Sequence, residues 1–137
     1  MIKYINVKSR ARNEFIDITD KIQEAVKEEG ITSGICYIYV PHTTAGITIN
    51  EGADTSVQRD IQTALSKLVP FEAEYSHREG NADAHIKSTL VGISKIVFVE
   101  DAKLLLGTWQ AIYFCEFDGP RHRRVAVKVL KTVKTAS

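Results

Sequence analysis

Three of the four histidines in this chain lie in polar segments where predicted strands give way to loops or helices, namely His42, His77 and His85. Imidazole is a common metal ligand and a common general base. His77 and His85 are eight residues apart, so a loop that folds back would bring both to one point. The spacing matches no stereotyped ligand pattern, and each histidine taken singly is equally consistent with an ordinary hydrogen-bonded polar residue.

Other polar residues accompany these histidines. Asn50 and Glu51 follow His42 on one predicted strand-loop unit, and Asn81 lies between His77 and His85. A carboxylate such as Glu51 would suit the general base of a metal-dependent reaction. This concentration of polar residues is not typical of segments that only pack in a core.

A second group of candidates precedes and follows a predicted strand near the C-terminus. Trp109, beside Gln110, either stacks on a heteroaromatic ring or a cation, or anchors the core. Glu116 and Asp118 flank Phe117, and strand alternation predicts that the two carboxylates point to the same side. Asp118 is equally suited to initiating a turn.

Two arginines follow these carboxylates. Arg121, directly after Gly119-Pro120, is predicted at a loop tip, and with Arg123 it forms a candidate clamp for phosphate or carboxylate. The alternative is two solvated arginines that contribute little. Residues 121–137 contain six basic and no acidic side chains. One interpretation is that this basic tail contacts an anion. The alternative is that Arg124, Lys128 and Lys131 lie on the solvent face or edge of a strand.

Length and composition predict one globular domain over residues 1–137, since 44% of the residues are hydrophobic, 26% are charged and the formal net charge is +1. Such a chain can bury a core without a structural metal or disulfides. Cys36 and Cys115 stand alone and are expected to be buried free thiols. No secretory signal is present, and the uncharged stretch 30–50 is too polar for a membrane span. We therefore expect a cytoplasmic protein without a membrane partner.

Hydrophobic periodicity predicts three helices. The first covers about residues 21–29, begins at a capping box of Asp20 and Gln23, and ends at Gly30. The second carries the apolar stripe Val57, Ile61, Ala64, Leu65 and Leu68 and ends at Pro70. The third is capped by Asn81 and runs to Gly92.

Short runs of β-branched and aromatic residues predict the strands at residues 15–18, 35–40, 47–50, 96–99, 111–117 and 123–130. The run 35–40 is expected to be a central strand. The last two runs are separated by turn-forming residues and are predicted to pair as an antiparallel hairpin. This order favours an α+β fold with a mixed or antiparallel sheet.

Taken together, the polar segments resemble the YjbQ-like family. The resemblance is carried by residues 41–51 (PHTTAGITINE), His77, residues 81–85 (NADAH), residues 107–110 (GTWQ) and residues 116–121 (EFDGPR). It covers nearly the whole chain in one order. It implies a small α+β domain that assembles as a homotrimer, in a family of secondary thiamine-phosphate synthases.

The resemblance also implies roles for individual residues. His42, His77 and His85 match the family's motif histidines and are the metal candidates. Asn50, Glu51 and Asn81 match its flanking polar positions, and Arg121 matches its basic position. The implied catalytic residues are Glu51, Asn50, His85 and Arg121, and the implied substrate contacts are Asn81, Trp109, Gln110, Glu116, Asp118, Arg121 and Arg123.

The implied reaction joins an aminopyrimidine methyl diphosphate to a thiazole phosphate and releases diphosphate. A divalent metal ion would assist it, with zinc suited to three imidazoles and magnesium suited to diphosphate oxygens. The alternatives are a metal-dependent hydrolase of a small phosphorylated or acyl substrate, and a non-catalytic module that binds a phosphometabolite or an RNA end. The expected partner is a phosphorylated small molecule. The sequence contains no nucleotide-binding motif of a known type, so nucleic acid is not an expected partner.

Overall fold

The computed structural model describes residues 1–133. The helices are α1 (Thr19–Glu29), α2 (Thr55–Leu68) and α3 (Ala82–Val91). The strands are β1 (Lys3–Lys8), β2 (Glu14–Asp17), β3 (Gly34–Tyr39), β4 (Ala45–Glu51), β5 (Ser94–Glu100), β6 (Lys103–Leu104), β7 (Gln110–Glu116) and β8 (His122–Lys131). The α+β class and the three helices are confirmed. Lys134, the last basic residue of the tail, lies outside the described residues.

The strands form two sheets in which every pair is antiparallel. One sheet has the order β1-β8-β3-β5-β6, and the other has the order β2-β7-β4. The predicted central strand is β3, which lies between β8 and β5. The basic residues Arg124 and Lys128 are exposed on β8, as the strand-face interpretation of the tail expects.

The main core fills the space between the inner faces of the sheets and α1, where Ile22, Ile38 and Phe114 are fully buried. A second cluster on the other face of β7 contains a residue of the strand, the residue just after it, and residues of α2 and α3: Cys115, Phe117, Leu65 and Ala84. The layers are therefore α2 and α3, the three-stranded sheet, the core, and the five-stranded sheet. The two cysteines are buried free thiols on different sheets, and burial raises the pKa of Cys36 to about 11.

The hairpin predicted between residues 111–117 and 123–130 is wrong, because β7 and β8 lie in different sheets. Both edges of β7 are occupied by β2 and β4, and both edges of β8 by β1 and β3. The connection between them bonds instead to the segment before β2. The Gly119 N–H donates to the Arg12 carbonyl at 3.0 Å, and the Ser9 N–H donates to the Arg121 carbonyl at 3.0 Å.

The start of α1 also differs from the prediction. The capping box of Asp20 and Gln23 does not form, because α1 already begins at Thr19 and Asp20 is its second residue. Asp17 accepts a hydrogen bond from the Thr19 N–H at 2.9 Å. Gln23 donates to the carbonyl of Ala102 at 3.0 Å and so ties the helix to the β5–β6 turn. The predicted end is confirmed, since Gly30 follows the helix with a φ of +68°, which glycine adopts without strain.

The apolar stripe predicted for the second helix is present, yet no residue of α2 is fully buried. Leu68 has 71% of its surface exposed. The helix is held to the sheet partly by polar contacts, since Gln58 donates to the hydroxyl of Tyr113 at 2.6 Å. No helix within residues 1–133 is long and apolar enough to cross a membrane.

Candidate functional site

A cavity of about 370 Å³ lies where three segments meet: the residues after β3, the first turn of α3, and the β7–β8 connection. Its walls include six of the predicted site residues: His42, Asn81, His85, Asp118, Arg121 and Arg123. These residues are far apart in the sequence, so only the tertiary fold brings them together.

His42 follows Pro41, which ends the predicted β3 run. Its Nε2 accepts a hydrogen bond from the backbone N–H of Arg124 at 3.0 Å. Burial, together with the nearby charge of Arg123, lowers the pKa of His42 below its usual value. The imidazole is therefore neutral near pH 7, and because Nε2 is the acceptor, the proton is on Nδ1, which is a hydrogen-bond donor.

His85 lies in the first part of α3 and packs edge-on against His77, with ring centroids 5.1 Å apart and an interplanar angle of 82°. The loop before α3 therefore folds back as expected. Two further cavities border His85. One, of about 390 Å³, is lined by His77, Tyr75 and Ile86, and the other, of about 380 Å³, contains His42. His85 thus separates a polar cavity from a more apolar one.

The three histidines do not fit a single three-ligand metal site within this chain. No group of three or more His, Cys, Asp or Glu side chains among residues 1–133 is placed to hold a metal ion. His77 and His85 are close together, but the Nε2 of His42 is used by the Arg124 N–H. We therefore assign no chemical step to a metal.

Asp118 organises the polar wall of the cavity. The Arg121 Nη2 donates to Asp118 Oδ2 at 3.1 Å, and the Asn81 Nδ2 donates to the same oxygen at 2.8 Å. Burial by itself would raise the pKa of Asp118, but these hydrogen bonds and the charges of Arg121 and Arg12 outweigh it and keep the pKa below its usual value. Asp118 is therefore ionised at neutral pH and fixes Arg121, whose side chain is 54% exposed.

The N-terminus of α3 contributes to this wall. Asn81 occupies the N-cap, but its side chain binds Asp118 and does not cap the helix, which corrects the predicted cap. Its Oδ1 is buried without a hydrogen-bond partner. The first-turn amides therefore lack a side-chain cap, and uncapped amides with the helix dipole favour an anion at this position.

Arg123 and Glu116, both predicted as substrate contacts, form a buried ion pair with each other. The Arg123 Nε donates to Glu116 Oε1 at 2.9 Å, and its Nη2 donates to Thr44 Oγ1 at 2.9 Å. Although Arg123 borders the cavity, its side chain is only 5% exposed, so it cannot act as the second arm of a clamp with Arg121. Glu116 and Asp118 do not share one side of a strand, because β7 ends at Glu116.

The remaining predicted residues lie at the opposite end of the three-stranded sheet. In the β4–β7 register, Ala45 faces Glu116 at the cavity end, and Glu51 faces Gln110 at the other end. Six residues of extended strand separate these ends by roughly 20 Å. Asn50, Glu51, Trp109 and Gln110 are therefore not part of the cavity within one chain.

Trp109 does not anchor the core, since 66% of its surface is exposed. With Gln110 it borders a separate cleft of about 320 Å³ that also contains Asp17 and Asp20. The side chain of Glu51 accepts the N–H of Ala53 at 2.8 Å. These contacts are local to the far end of the sheet.

Comparisons with known proteins identify the family. The model of the family described as UPF0047 protein YjbQ-like matches residues 3–132. The chain belongs to this family. It is 54% identical to the UPF0047 protein MJ1081 of Methanocaldococcus jannaschii, over 95% of this chain and 94% of that one. It is 51% identical to the UPF0047 protein YugU of Bacillus subtilis, over 95% and 99% of the two chains.

Solved structures of YjbQ-like proteins have the same fold. A crystal structure of an uncharacterised conserved family member from Clostridium acetobutylicum is 50% identical and superposes with a TM-score of 0.92, over 93% of this chain and 99% of that one. A protein of unknown function from Sulfolobus solfataricus is 35% identical, also with a TM-score of 0.92, over 96% and 97%. These descriptions assign no activity.

The YjbQ-like fold places further residues at the site that sequence reasoning misses. Arg12 binds Asp118, Ser9 binds Glu116, and Thr44 binds Arg123. Ser9 and Arg12 lie in a short polar connection that also contains Arg10, and no local pattern distinguishes the buried contacts from exposed ones. Thr44 is within a segment that carries the family resemblance, but its type alone indicates no ion-pair contact.

Proposed function

We propose that this protein is a transferase of the thiamine-phosphate synthase type, acting on a phosphorylated small molecule in the cavity of His42, His85 and Arg121. One observation carries the proposal: an exposed guanidinium, the uncapped N-terminus of α3 and two imidazoles line the same cavity. Each of these features stabilises negative charge or donates a proton, which is what a departing diphosphate needs.

The proposed step is a substitution at the methylene carbon of the aminopyrimidine. The bond from this carbon to the diphosphate oxygen breaks, and its electron pair leaves with the oxygen. The lone pair of the thiazole nitrogen forms the new carbon–nitrogen bond, which gives thiamine phosphate and diphosphate. Arg121 would bind the diphosphate bidentately, and the Nδ1–H of His42 would donate to one of its oxygens.

The more apolar cavity on the other side of His85 offers a position for a ring. Tyr75 and Ile86 line it, next to the edge-on pair of His77 and His85. A heteroaromatic ring in this cavity would lie beside an anion in the polar cavity, with His85 between them. This arrangement supports a substrate that combines a ring with a phosphate.

A divalent metal ion remains a proposed cofactor, with zinc or magnesium as the candidates. Diphosphate oxygens would supply ligands that this chain does not bring together. The proposed step does not depend on it, since Arg121 and the α3 N-terminus act on the same charge. We also propose a cytoplasmic location, because both cysteines are buried free thiols.

The proposal is tested by measuring thiamine phosphate formed from the two precursors, with His85→Ala beside the wild type. We expect the variant to lose about 10²–10³-fold of the rate, because it removes an imidazole that lines the polar cavity and that we propose as a second donor to the departing diphosphate. His122→Ala is the matched control, because His122 is exposed at the start of β8. Equal product from wild type and His85→Ala, or none from the wild type, would refute the synthase assignment.

The hydrolase alternative is not favoured within one chain. Its general base would be Glu51, which lies roughly 20 Å along the β4–β7 ladder from the cavity end. A binding module without turnover is the outcome if the wild type binds diphosphate yet forms no product.

We further propose that the chain assembles as a homotrimer through the outer face of the five-stranded sheet. Large apolar side chains project from this face, although outward positions of an antiparallel sheet are normally polar: Tyr4, Tyr37, Tyr39, Ile96, Phe98 and Leu130. Ile35 pairs with both Phe98 and Leu130, so these apolar side chains are neighbours across three strands, and Lys128 and Arg124 are exposed on the same face. Apolar patches of this kind mark interaction surfaces.

Replacing Phe98 with Asp is expected to convert the trimer to monomers, because a buried unpaired carboxylate costs several kcal/mol. Phe98 is 59% exposed in the single chain, so the fold of the monomer should tolerate the change to Asp. Light scattering after size-exclusion chromatography measures the mass. Thr63→Asp, at an exposed position on α2 and away from the five-stranded sheet, is the control. A wild type that is monomeric, or a Phe98→Asp variant that stays trimeric, would contradict the proposed surface.

A further inference from the structure

Arg12 lies behind the cavity wall, outside the set of residues that line it. Its Nη1 donates to Asp118 Oδ1 at 3.3 Å, and its Nη2 donates to Asp83 Oδ1 at 3.1 Å. The same Nη2 lies 3.4 Å from the carbonyl of Gly80. One guanidinium therefore joins the β1–β2 connection, the start of α3 and the β7–β8 connection.

The carboxylate of Asp118 is held on both oxygens. Oδ1 accepts from Arg12, and Oδ2 accepts from Asn81 and Arg121. The Arg121 Nε also donates to the backbone carbonyl of Asp118 at 2.8 Å. Both hydrogen bonds of the Arg121 side chain therefore end on Asp118: the backbone carbonyl holds Nε, and the carboxylate, which also binds Arg12, holds Nη2.

Arg12 also sets the charge balance of the group connected through Asp83 and Asp118, in a cavity whose lining includes the separate carboxylate of Glu79. Asp83 is 1% exposed in its side chain and forms a pair with Lys87, whose Nζ is 3.7 Å away. The connected group contains three cations, Arg12, Lys87 and Arg121, and the two carboxylates of Asp83 and Asp118. One positive charge is left over, and Arg121 is the exposed cation of the group. Without Arg12 the two carboxylates would balance the other cations.

The guanidinium also contacts the loop before α3. Its carbon lies 4.2 Å from the centroid of the Phe71 ring, within the range of a cation–π interaction. This loop carries His77 and ends at Gly80, which has a φ of +75°. The contact adds a fourth segment to those that Arg12 joins.

We propose that Arg12 is a positioning residue that sets the anion affinity of the cavity through Asp118 and Arg121 without touching the anion. This inference rests on the proposed function, since it takes Arg121 as the group that binds phosphate oxygens. Arg12→Gln is expected to weaken binding of inorganic diphosphate about tenfold. Arg12→Lys keeps the charge but cannot bridge two carboxylates in a planar fork, so it should recover only part of the affinity.

The test is a double-mutant cycle on diphosphate affinity, measured by calorimetric titration. If Arg12 acts through Arg121, Arg12→Gln should have little further effect in the Arg121→Gln background. Additive effects of the two changes would overturn the proposal. Arg10→Gln is the matched control, because Arg10 is an exposed arginine two residues away. It removes the same charge, so an affinity loss equal to that of Arg12→Gln would also overturn it.

A second measurement separates this inference from the proposed function. The Arg121 Nε–H resonance reports the bond to Asp118 without any ligand, and we expect it to shift in Arg12→Gln and to stay unchanged in Arg10→Gln. A wild type that does not bind diphosphate would refute the proposed function and with it the affinity effect. In another outcome, diphosphate binds in a way that depends on Arg121, while Arg12→Gln changes neither the diphosphate affinity nor the Arg121 Nε–H resonance. That outcome would refute only the role of Arg12. Thermal unfolding of each variant identifies any general loss of folding.

Discussion

Replacement of Glu116 by Gln is expected to lower the free energy of unfolding by about 3–5 kcal/mol, because it leaves the buried Arg123 without its counter-charge. Glu116 is 0% exposed and accepts hydrogen bonds from Arg123, from the Ser9 hydroxyl at 2.6 Å and from the Asp118 N–H at 3.0 Å. The neutral amide keeps the shape but loses the charge. Urea unfolding followed by circular dichroism, at one protein concentration, measures the difference.

The loss of stability in Glu116→Gln should depend on pH. Burial alone would raise the pKa of Glu116, but the hydrogen bonds from Arg123, Ser9 and Asp118 outweigh it and hold the pKa below its usual value of 4.5. The stabilisation by this carboxylate is therefore complete above that value and is lost as the pH falls through the lower pKa of the folded state. The wild type and Glu116→Gln should consequently differ at pH 7 and converge in acid.

Two further variants keep this prediction falsifiable. Glu24→Gln removes an exposed carboxylate on α1 and should leave the free energy of unfolding within about 0.5 kcal/mol of the wild type. The double variant Glu116→Met with Arg123→Met removes both charges together and should recover much of the loss, since a buried pair is often replaceable by packed apolar residues. If Glu116→Gln alone were as stable as the wild type at pH 7, Glu116 and Arg123 would not behave as a buried ion pair.

The second large effect concerns Arg121. Arg121→Gln is expected to lower the rate of thiamine phosphate formation about 10²–10³-fold, because the guanidinium is the exposed cation at the position proposed for diphosphate. Steady-state measurement of kcat and KM separates the contributions. If the contact between Arg121 and the diphosphate strengthens as the diphosphate leaves, Arg121→Gln lowers kcat as well as kcat/KM.

Matched variants define what this result means. Arg121→Lys keeps the charge without the fork and should give an intermediate rate. Arg59→Gln, an exposed arginine on α2, should have the activity of the wild type. An Arg121→Gln variant with unchanged kcat and KM would place the anion elsewhere, and the cavity would then lose its main support as the active site.

The sequence by itself determined the family, the α+β class and the positions of most elements. The four polar segments identify the family because several residue types recur in one order, and the apolar period of residues 57–68 is a local property of a helix. Gly30 ends α1 for an equally local reason. The strand β1 escaped prediction although Ile5 and Val7 alternate with polar neighbours, because so short a run carries little signal.

Only the tertiary structure decided how the strands share two sheets and which polar residues meet. Residues 111–117 and 123–130 read as a hairpin locally, but the choice of partner depends on β2, β4, β1 and β3, which are distant in sequence. The same long-range pairing brings Asp118 and Arg121 to His42 and His85, and carries Glu51 and Trp109 to the far end of the ladder. Arg12 and Arg10 look alike in the sequence, and only the fold places Arg12 between two carboxylates. A local sequence pattern carries no information about contacts between residues that are 71 or 106 positions apart.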